Sequence, residues 1–204
     1  MITKKFMLDI EATGIEYKED LLQIYILELD WVDNYWQPNR SFEFYQFTAK
    51  LPESNFAKAH LRDIYRVCHD SSWVAPQKVR KNILKFFKDC GADRFPTLCG
   101  WCVASWDIPF LVAKDYLQMS AYDKENNHTG DYNYLVDDTE GAIQHIAESY
   151  AVSREKIIER SRIIGRHITN IKLPDSHSHN AMFDCYEQTI LKNGLLAFQR
   201  RLGG

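Results

Sequence analysis

The order of hydrophobic and polar residues predicts strands in the first quarter of the chain and helices after them. Short apolar segments near the start are typical of β-strands. Three strands are predicted, with Asp33-Asn34 as the turn between the second and third: Lys5–Ile10, Gln23–Val32 and Phe42–Thr48. Later, apolar residues recur at helical spacing, most clearly over Pro76–Cys90, which Gly91 ends. The other predicted helices are Asn55–Val67, Trp106–Leu117, Thr139–Ala151 and Ala181–Leu202.

The middle of the chain contains the segment that is predicted to form the central strand of the sheet. Pro96–Ala104 is apolar on both faces, as expected of a buried central strand that leads into the next helix. A short strand is predicted at Tyr134–Val136, after a polar loop over residues 121–133. Three strands followed by alternating strands and helices predict an α/β fold with a mixed sheet. Because no repeat or linker divides the 204 residues, we expect one domain over residues 1–204.

The composition narrows the class of protein. Hydrophobic residues make up 45% and charged residues 26%, as in soluble globular chains and unlike disordered or collagen-like ones. The apolar runs are far shorter than the roughly 20 residues that a membrane span needs, and no signal-peptide core follows Met1. With five cysteines, an odd number, this favours a cytoplasmic location without membrane association. A net charge of −3 indicates that any nucleic-acid binding would be local.

Two carboxylates lie at the end of the first predicted strand. Asp9 and Glu11 point to the same side, because side chains alternate along a strand. Side by side on a buried strand they repel and are poorly solvated, and a divalent cation would resolve both problems. The alternative is that the strand ends at Leu8 and that the pair lies in a solvated turn closed by Gly14.

A third carboxylate begins the last predicted helix. Asp184 belongs to a helical stripe whose other members are Gln188, Leu191, Leu195, Phe198 and Leu202. It therefore faces the core, where a carboxylate needs a partner or a metal ion. The alternative is a pair with an arginine or a cap of the helix N-terminus.

A fourth carboxylate and a histidine complete the set. Asp107 follows the predicted central strand, at the end where ligands gather in α/β sheets. The alternative is a favourable first-turn charge, with Ser105 as a cap. His179 stands five residues before Asp184. Beside an acidic cluster a histidine can act as a general base, although a lone histidine is usually an exposed loop residue.

These four acids and the histidine, in this order, resemble the DEDD superfamily of 3′-to-5′ exonucleases in its histidine-bearing DEDDh branch. The first family motif, Asp-x-Glu-x-Thr-Gly, is matched by Asp9, Glu11, Thr13 and Gly14. The second, Gly-x-Asn-x-x-x-Phe-Asp-x-Pro-Tyr-Leu, is matched by Gly100, Asp107, Pro109 and Leu111, with Cys102, Trp106 and Phe110 replacing its Asn, Phe and Tyr. The third, His-x-Ala-x-x-Asp, is matched by His179, Ala181 and Asp184. Asn180 stands where the other branch has a tyrosine, which favours the histidine branch.

The resemblance implies both a fold and an activity. The fold would be ribonuclease H-like, a mixed five-stranded sheet flanked by helices. Two Mg²⁺ or Mn²⁺ ions would be held by four carboxylates: Asp9, Glu11, Asp107 and Asp184. The implied reaction is hydrolysis of single-stranded nucleic acid from its 3′ end to nucleoside 5′-monophosphates, in which His179 takes a proton from the attacking water and Thr13 lies near the terminal nucleotide.

The substrate stays open between DNA and RNA at this point. DNA is slightly favoured because the second motif is similar to that of polymerase-type proofreading exonucleases. The alternatives are an exoribonuclease that acts on short RNA oligonucleotides, and a nucleic-acid-binding module that keeps the fold without catalysis. The presence of all five expected catalytic residues argues against the binding module.

Two further patterns bear on function. Between Arg154 and Lys172, six basic residues stand against two acidic ones, and we expect Arg160, Arg162 and Arg166 to guide the phosphate backbone. The helix over Pro76–Cys90 is also basic, and the alternative for each run is a solvated face. The Cys99-x-x-Cys102 spacing fits a redox site, or a zinc site with His177 and His179, but a buried strand favours inert thiols.

Overall fold

The computed structural model describes residues 4–92, 95–125, 127–133, 135–177 and 179–202. Within these ranges the chain contains seven strands and seven α-helices. The strands are β1 (Lys5–Ala12), β2 (Leu21–Val32), β3 (Tyr35–Tyr45), β4 (Thr97–Gly100), β5 (Ala121–Tyr122), β6 (His128–Thr129) and β7 (Asp137–Asp138). The helices are α1 (Asn55–His60), α2 (Arg62–Asp70), α3 (Pro76–Asp89), α4 (Asp107–Ala113), α5 (Thr139–Tyr150), α6 (Arg154–Ile168) and α7 (Ala181–Leu202).

Five of the strands form one mixed sheet in the order β3-β2-β1-β4-β7. β1 is antiparallel to β2 and parallel to β4, β2 is antiparallel to β3, and β7 is parallel to β4. The predicted mixed five-stranded sheet flanked by helices is therefore confirmed. The parallel strands β1 and β4 place their carboxyl ends at the same edge of the sheet, and α4 begins beside that edge.

The β2–β3 hairpin shows where the strand prediction was short. Asp33 and Asn34 form the predicted turn with φ values of 49° and 70°, the left-handed geometry that these residue types tolerate. β3 begins at Tyr35, although the sequence predicts a start at Phe42 and an end at Thr48. Pro38 is compatible with this longer strand because β3 lies at the edge of the sheet and its pairing with β2 is irregular between Leu27 and Leu29, beside Pro38.

Other predicted boundaries are wrong for local reasons. The predicted helix Asn55–Val67 is two helices, α1 and α2, that are separated at Leu61, which is buried against β2. The predicted strand Pro96–Ala104 ends at Gly100, and Cys102 adopts a φ of +53°, which no strand residue has. The last strand is Asp137–Asp138; of the predicted Tyr134–Val136, Tyr134 lies outside the described residues. The helix that follows β4 ends at Ala113, before the predicted Leu117.

Helices cover both faces of the sheet. On one face, α3 and α4 pack on alternate residues of the central strands, such as Phe6 and Leu8, through Phe87 and Phe110. On the opposite face lies α7, with Cys185 in one core with Met7 and Leu27. These buried apolar residues fix the positions of α4 and α7 relative to β1.

Helix α6 lies in the basic stretch for which the sequence predicts no element. Its first turn is capped by Ser153, whose hydroxyl accepts a hydrogen bond from the Lys156 N–H at 3.4 Å. α6 approaches α7 so closely that a Cβ on Gly165 would lie 2.0 Å from the Ile190 carbonyl oxygen. A Cβ on Gly194 would lie 1.8 Å from the Ser161 carbonyl oxygen. Glycine is therefore required at both positions of this contact.

Among the residues that the structure describes, none of the helices has the length and apolar character to cross a bilayer.

Candidate active site

Strand β1 and helix α7 bring three carboxylates together. β1 continues to Ala12, so Asp9 and Glu11 lie on the strand and not in a solvated turn. Both point to the face on which α7 packs, where Asp184 projects from the first turn. One carboxylate oxygen from each of Asp9, Glu11 and Asp184 lies within 4.8 Å of the others. Such a set of oxygen atoms is typical of sites for Mg²⁺ or Mn²⁺.

The fourth predicted carboxylate, Asp107, is attached to the same segment of β1 from the other side. It begins α4 and is 3% exposed. Its Oδ1 accepts a hydrogen bond of 3.0 Å from the main-chain N–H of Ile10, the residue between Asp9 and Glu11. Asp107 does not belong to the group of three within 4.8 Å. It instead borders that group, close enough for its charge to raise the pKa of Asp9.

The raised pKa values of the four carboxyl groups indicate a site that favours binding of a cation. Burial, and after it the neighbouring carboxylates, raise the pKa of Asp9 well above its usual value and that of Glu11 to about 8. Burial raises the pKa of Asp107 to about 7, although hydrogen bonds from the backbone lower it. It also raises the pKa of Asp184 to about 6.

In the part of the chain that the structure describes, the four carboxylates lack an ion-pair partner. Among the described residues, no lysine or arginine forms an ion pair with any of the four carboxylates. Carboxylates that are buried together without a cation are unfavourable when ionised. A divalent cation supplies that charge and uses the same oxygen atoms as ligands, so the donor set fits the predicted metal ions.

Gln188 connects the cluster to the β4–α4 turn, a role that the sequence analysis missed. Its Nε2 donates to Asp9 Oδ1 at 3.2 Å, and its Oε1 accepts from the main-chain N–H of Trp101 at 2.8 Å. The signal in the sequence was its position one turn after Asp184 on the same stripe. A cavity of about 360 Å³ opens here, lined by Asp9, Trp101, Ile158, Arg162, Asp184, Glu187, Gln188 and Leu191.

Gln23 fixes the start of α7 and was also missed. Its Oε1 accepts a hydrogen bond of 3.0 Å from the main-chain N–H of Ala181, and its Nε2 donates to Glu43 and Tyr45 on β3, each at 3.0 Å. Gln23 is fully buried in an otherwise apolar part of β2. A buried amide in such a strand must be hydrogen-bonded, which was the available signal.

His179 lies at the entrance to α7 and next to Asp184. Its φ of +62° is left-handed, and its main-chain N–H donates to Asp184 Oδ2 at 2.9 Å. Its ring packs edge-on against Phe56 and His60, with centroid distances of 4.7 and 4.8 Å. Burial, followed by the charges of His60 and His177, lowers the pKa of His179. The imidazole is therefore largely neutral near pH 7 and able to accept a proton.

The loop after β1 carries Thr13 and an aromatic pair. The Thr13 hydroxyl donates to Glu19 Oε2 at 2.9 Å and accepts from the Asp20 N–H at 3.0 Å, so it closes the loop. Tyr17 stacks on Trp106, beside Asp107, with a centroid distance of 5.7 Å and an interplanar angle of 15°. Exposed aromatic faces of this kind can stack with unpaired bases.

The predicted phosphate-guiding arginines differ in their placement. Arg162 and Arg166 both pair with Glu187 of α7, at 3.3 and 3.4 Å. Arg162 also lines the cavity beside the carboxylates, whereas Arg160 is exposed and lies outside that cavity. The structure thus brings one of the three arginines to the site.

The cysteines do not form a second site in the described residues. All five are free, and burial raises the pKa of Cys99 to about 12 and also raises that of Cys102. Such thiols are poor nucleophiles, unlike redox cysteines. The described cysteine and histidine side chains also form no cluster close enough for zinc.

Comparison with known proteins identifies the fold. No protein-family model matches this chain, and neither does any curated protein. Among solved structures, a full-length 3′-exonuclease matches with a TM-score of 0.57 at 14% identity, over 98% of this chain and 83% of its own. The nuclease domain of 3′hExo, a DEDDh family member bound to rAMP, matches with a TM-score of 0.53 at 11% identity, over 99% and 93%.

A third match comes from a larger protein. E. coli Exonuclease I in complex with a dT13 oligonucleotide gives a TM-score of 0.56 at 14% identity, over 99% of this chain and 43% of that one. The chain therefore has the ribonuclease H-like fold of the 3′-exonucleases, as the sequence motifs predict.

Proposed function

We propose that this protein is a 3′-to-5′ exonuclease of the DEDDh type, which hydrolyses single-stranded nucleic acid, with DNA favoured, to nucleoside 5′-monophosphates. The observation that carries the proposal is the cluster of half-buried Asp9, Glu11 and Asp184 beside buried Asp107, without an ion-pair partner in the described residues. This arrangement on this fold fits two Mg²⁺ or Mn²⁺ ions.

The structural neighbours support the class of substrate. E. coli Exonuclease I binds a dT13 oligonucleotide, and Exonuclease X binds a 5′-overhanging duplex DNA. The 3′hExo nuclease domain is bound to rAMP, which keeps RNA as the alternative substrate for this chain. Binding of a nucleic-acid strand is the feature that we carry over, and the single-stranded 3′ end is part of our proposal.

Each part of the site then has a role. The four carboxylates hold the ions, which when bound supply positive charge to the phosphate and lower the pKa of water. Gln188 holds the carboxylate of Asp9 in place through its hydrogen bond. His179, which is largely neutral, accepts the proton of the attacking water. Tyr17 and Trp106 stack with the bases near the 3′ end, and Thr13 shapes the loop that carries Tyr17.

The test is metal-dependent cleavage of DNA and RNA strands of one sequence, each labelled at its 5′ end. With Mg²⁺ or Mn²⁺ we expect a ladder that shortens from the 3′ end, faster for DNA. Asp9→Asn should reduce the rate by about 10³-fold or more, because a ligand carboxylate is lost. Asp33→Asn, at an exposed turn, removes the same charge and should leave the rate unchanged.

Thermal unfolding gives a readout that does not depend on turnover. Mg²⁺ should raise the melting temperature of the wild type and of Asp33→Asn, but much less that of Asp9→Asn. Faster cleavage of RNA would favour the exoribonuclease. Strand binding without cleavage under either metal would favour the binding module and contradict the proposal.

A further inference from the structure

A second pocket lies beside His179, on the surface formed by α1 and α2. It has a volume of about 490 Å³, within the range of about 300–1,000 Å³ that is usual for ligand sites. We name it the α1–α2 pocket, and its lining residues are Lys58, Ala59, His60, Arg62, Asp63, Arg66 and His177. One lysine and two arginines stand against one carboxylate here, so the pocket has a formal net charge of +2 when its imidazoles are counted as neutral.

Within the described residues, the three cations of the pocket have no ion-pair partner. Lys58, Arg62 and Arg66 are exposed and form no ion pair or hydrogen bond with any described side chain. The carboxylate among the lining residues, Asp63, lies 3.9 Å from His177 Nε2 and is itself exposed. Unpaired guanidinium groups on one surface are the usual means of binding phosphate, because their N–H donors match its oxygen atoms.

The packing below the pocket keeps these cations on one side. Leu61, Ile64, Tyr65 and Cys68 are buried in one cluster with Leu22 of β2, on the opposite side of α1 and α2. Arg62 and Arg66 are four residues apart on α2, which places them along one line of that helix, and Lys58 reaches the same pocket from α1. The helical core therefore fixes the direction in which the basic side chains point.

The pocket adjoins the candidate catalytic histidine through two shared residues. The ring of His60, which lines the pocket, contacts the ring of His179 at a centroid distance of 4.8 Å. His177, which also lines it, precedes His179 by two residues. The main-chain N–H of His179 is bonded to Asp184 of the carboxylate cluster. A nucleotide strand that reaches the carboxylates thus has a basic surface next to it.

We propose that the α1–α2 pocket binds a backbone phosphate of the substrate strand, at a distance from the phosphate that is cleaved. This rests on the proposed function, since it places the pocket beside a 3′ end that is held at the carboxylates. The pocket would make binding depend on strand length, because a substrate without a second phosphate cannot use it. Bases are not recognised there, because contacts to phosphate carry no sequence information.

The experiment compares two variants that remove the same charge from different surfaces. Arg62→Ala/Arg66→Ala changes the pocket. Lys78→Ala/Lys81→Ala changes exposed residues of α3, the helix on the face of the sheet opposite α7. The substrates are a thymidine dinucleotide, which has only the phosphate to be cleaved, and a labelled thymidylate of about twelve nucleotides, within the usual range of single-strand sites.

We expect the pocket variant to raise the KM for the long strand about tenfold with little change in kcat, and to leave the dinucleotide unaffected. Its affinity for the long strand in EDTA should fall by about the same factor. The slope of log Kd against log salt should decrease by about 0.7 for each phosphate that the variant no longer binds. The α3 variant should differ from the wild type by less than about twofold.

The proposal is contradicted if both variants weaken binding of the long strand equally. It is also contradicted if the pocket variant loses as much activity on the dinucleotide as on the long strand. A pocket variant that loses only stabilisation by inorganic phosphate while its affinity for the strand is unchanged would contradict it as well. Failure of the exonuclease proposal gives a different result, in which the wild type cleaves neither polymer while the pocket variant still binds the strand more weakly in EDTA.

Discussion

Two basic surfaces of this chain differ in what the fold places opposite them. On α6, Arg162 and Arg166 face Glu187 of α7, and both form ion pairs with it. On α1 and α2, the three cations of the α1–α2 pocket have no such partner among the described residues. The denser basic run in the sequence is thus the more neutralised one in the structure. Positive potential depends on carboxylates that come from elsewhere in the chain, and not only on the local run.

The largest expected effect on this comparison comes from a substitution that disrupts the packing between α6 and α7, because that packing places Arg162 and Arg166 against Glu187. In Gly194→Ala the new Cβ would lie 1.8 Å from the Ser161 carbonyl oxygen, so α6 would have to move away from α7 and from Glu187. We expect the free energy of unfolding to fall by about 3 kcal/mol, the upper range for overpacking. Urea unfolding measures it.

A matched substitution checks that the cause is steric. Gly141 lies in the first turn of α5, and a Cβ there has nothing within 4 Å. Gly141→Ala should therefore stabilise the protein by up to about 1 kcal/mol. If both alanine variants behave alike, the close approach of α6 to α7 is not what fixes Arg162 against Glu187.

A smaller effect comes from a third basic position, Lys192, which forms an ion pair within the protein. Lys192 is 7% exposed and donates to Asp137 at 2.6 Å, and Lys5 pairs with the same carboxylate. Burial alone would raise the pKa of Asp137, but the charges and hydrogen bonds of Lys192 and Lys5 hold it below its usual value. The pairs therefore stabilise the protein above pH 4, and that stabilisation is lost as the pH falls through the lowered pKa.

Asp137→Asn should cost about 2 kcal/mol at pH 7, and the difference from the wild type should shrink towards zero in strong acid. Chemical denaturation across a pH series measures it. Asp89→Asn removes an exposed carboxylate that pairs with Lys85, and should cost less than about 0.5 kcal/mol. A pH-independent cost for Asp137→Asn would mean that the pairs do not lower this pKa.

The smallest expected effect is a change in single-strand affinity, and it tests directly whether Glu187 neutralises the basic surface of α6. Glu187→Gln removes the charge that faces Arg162 and Arg166, so the affinity for single strands should rise by about threefold at low salt. Glu159→Gln changes an exposed residue of α6 without an ion pair and serves as the control. Fluorescence anisotropy in EDTA measures both. Unchanged affinity in Glu187→Gln would show that α6 does not face the strand at all.

The elements that could be predicted from the sequence are those that depend on local patterns of residues. Periodicity and turn chemistry predicted the turn at Asp33, the bounds of α7 and the strand β1, although β1 continues past the predicted end at Ile10 to Ala12 and so includes Glu11. Asp107 was expected beside β1 because strand ends meet at one edge of a sheet, and the resemblance to the DEDDh motifs implied that it joins the other carboxylates. The site residues could therefore be proposed before any coordinates.

What the sequence did not predict depends on contacts over long distances. The α1–α2 pocket combines His60 with His177, which are far apart in the chain, and its cations are interrupted by Asp63. The neutralisation of Arg162 requires the register of α6 on α7, which two glycines set. Gln188 and Gln23 act through hydrogen bonds to other elements, for which residue spacing alone gives no signal.

The amide of Gln188 couples the position of the Asp9 carboxylate to that of the Trp101 main chain. One planar group holds Asp9 by its nitrogen and the Trp101 backbone by its oxygen, so a rotation that improves one bond disturbs the other. A molecule that entered the adjoining cavity and displaced Trp101 would therefore also turn the Asp9 carboxylate. Under the proposed function, the fit of a nucleotide and the alignment of the proposed metal ligand Asp9 would be coupled through this one side chain.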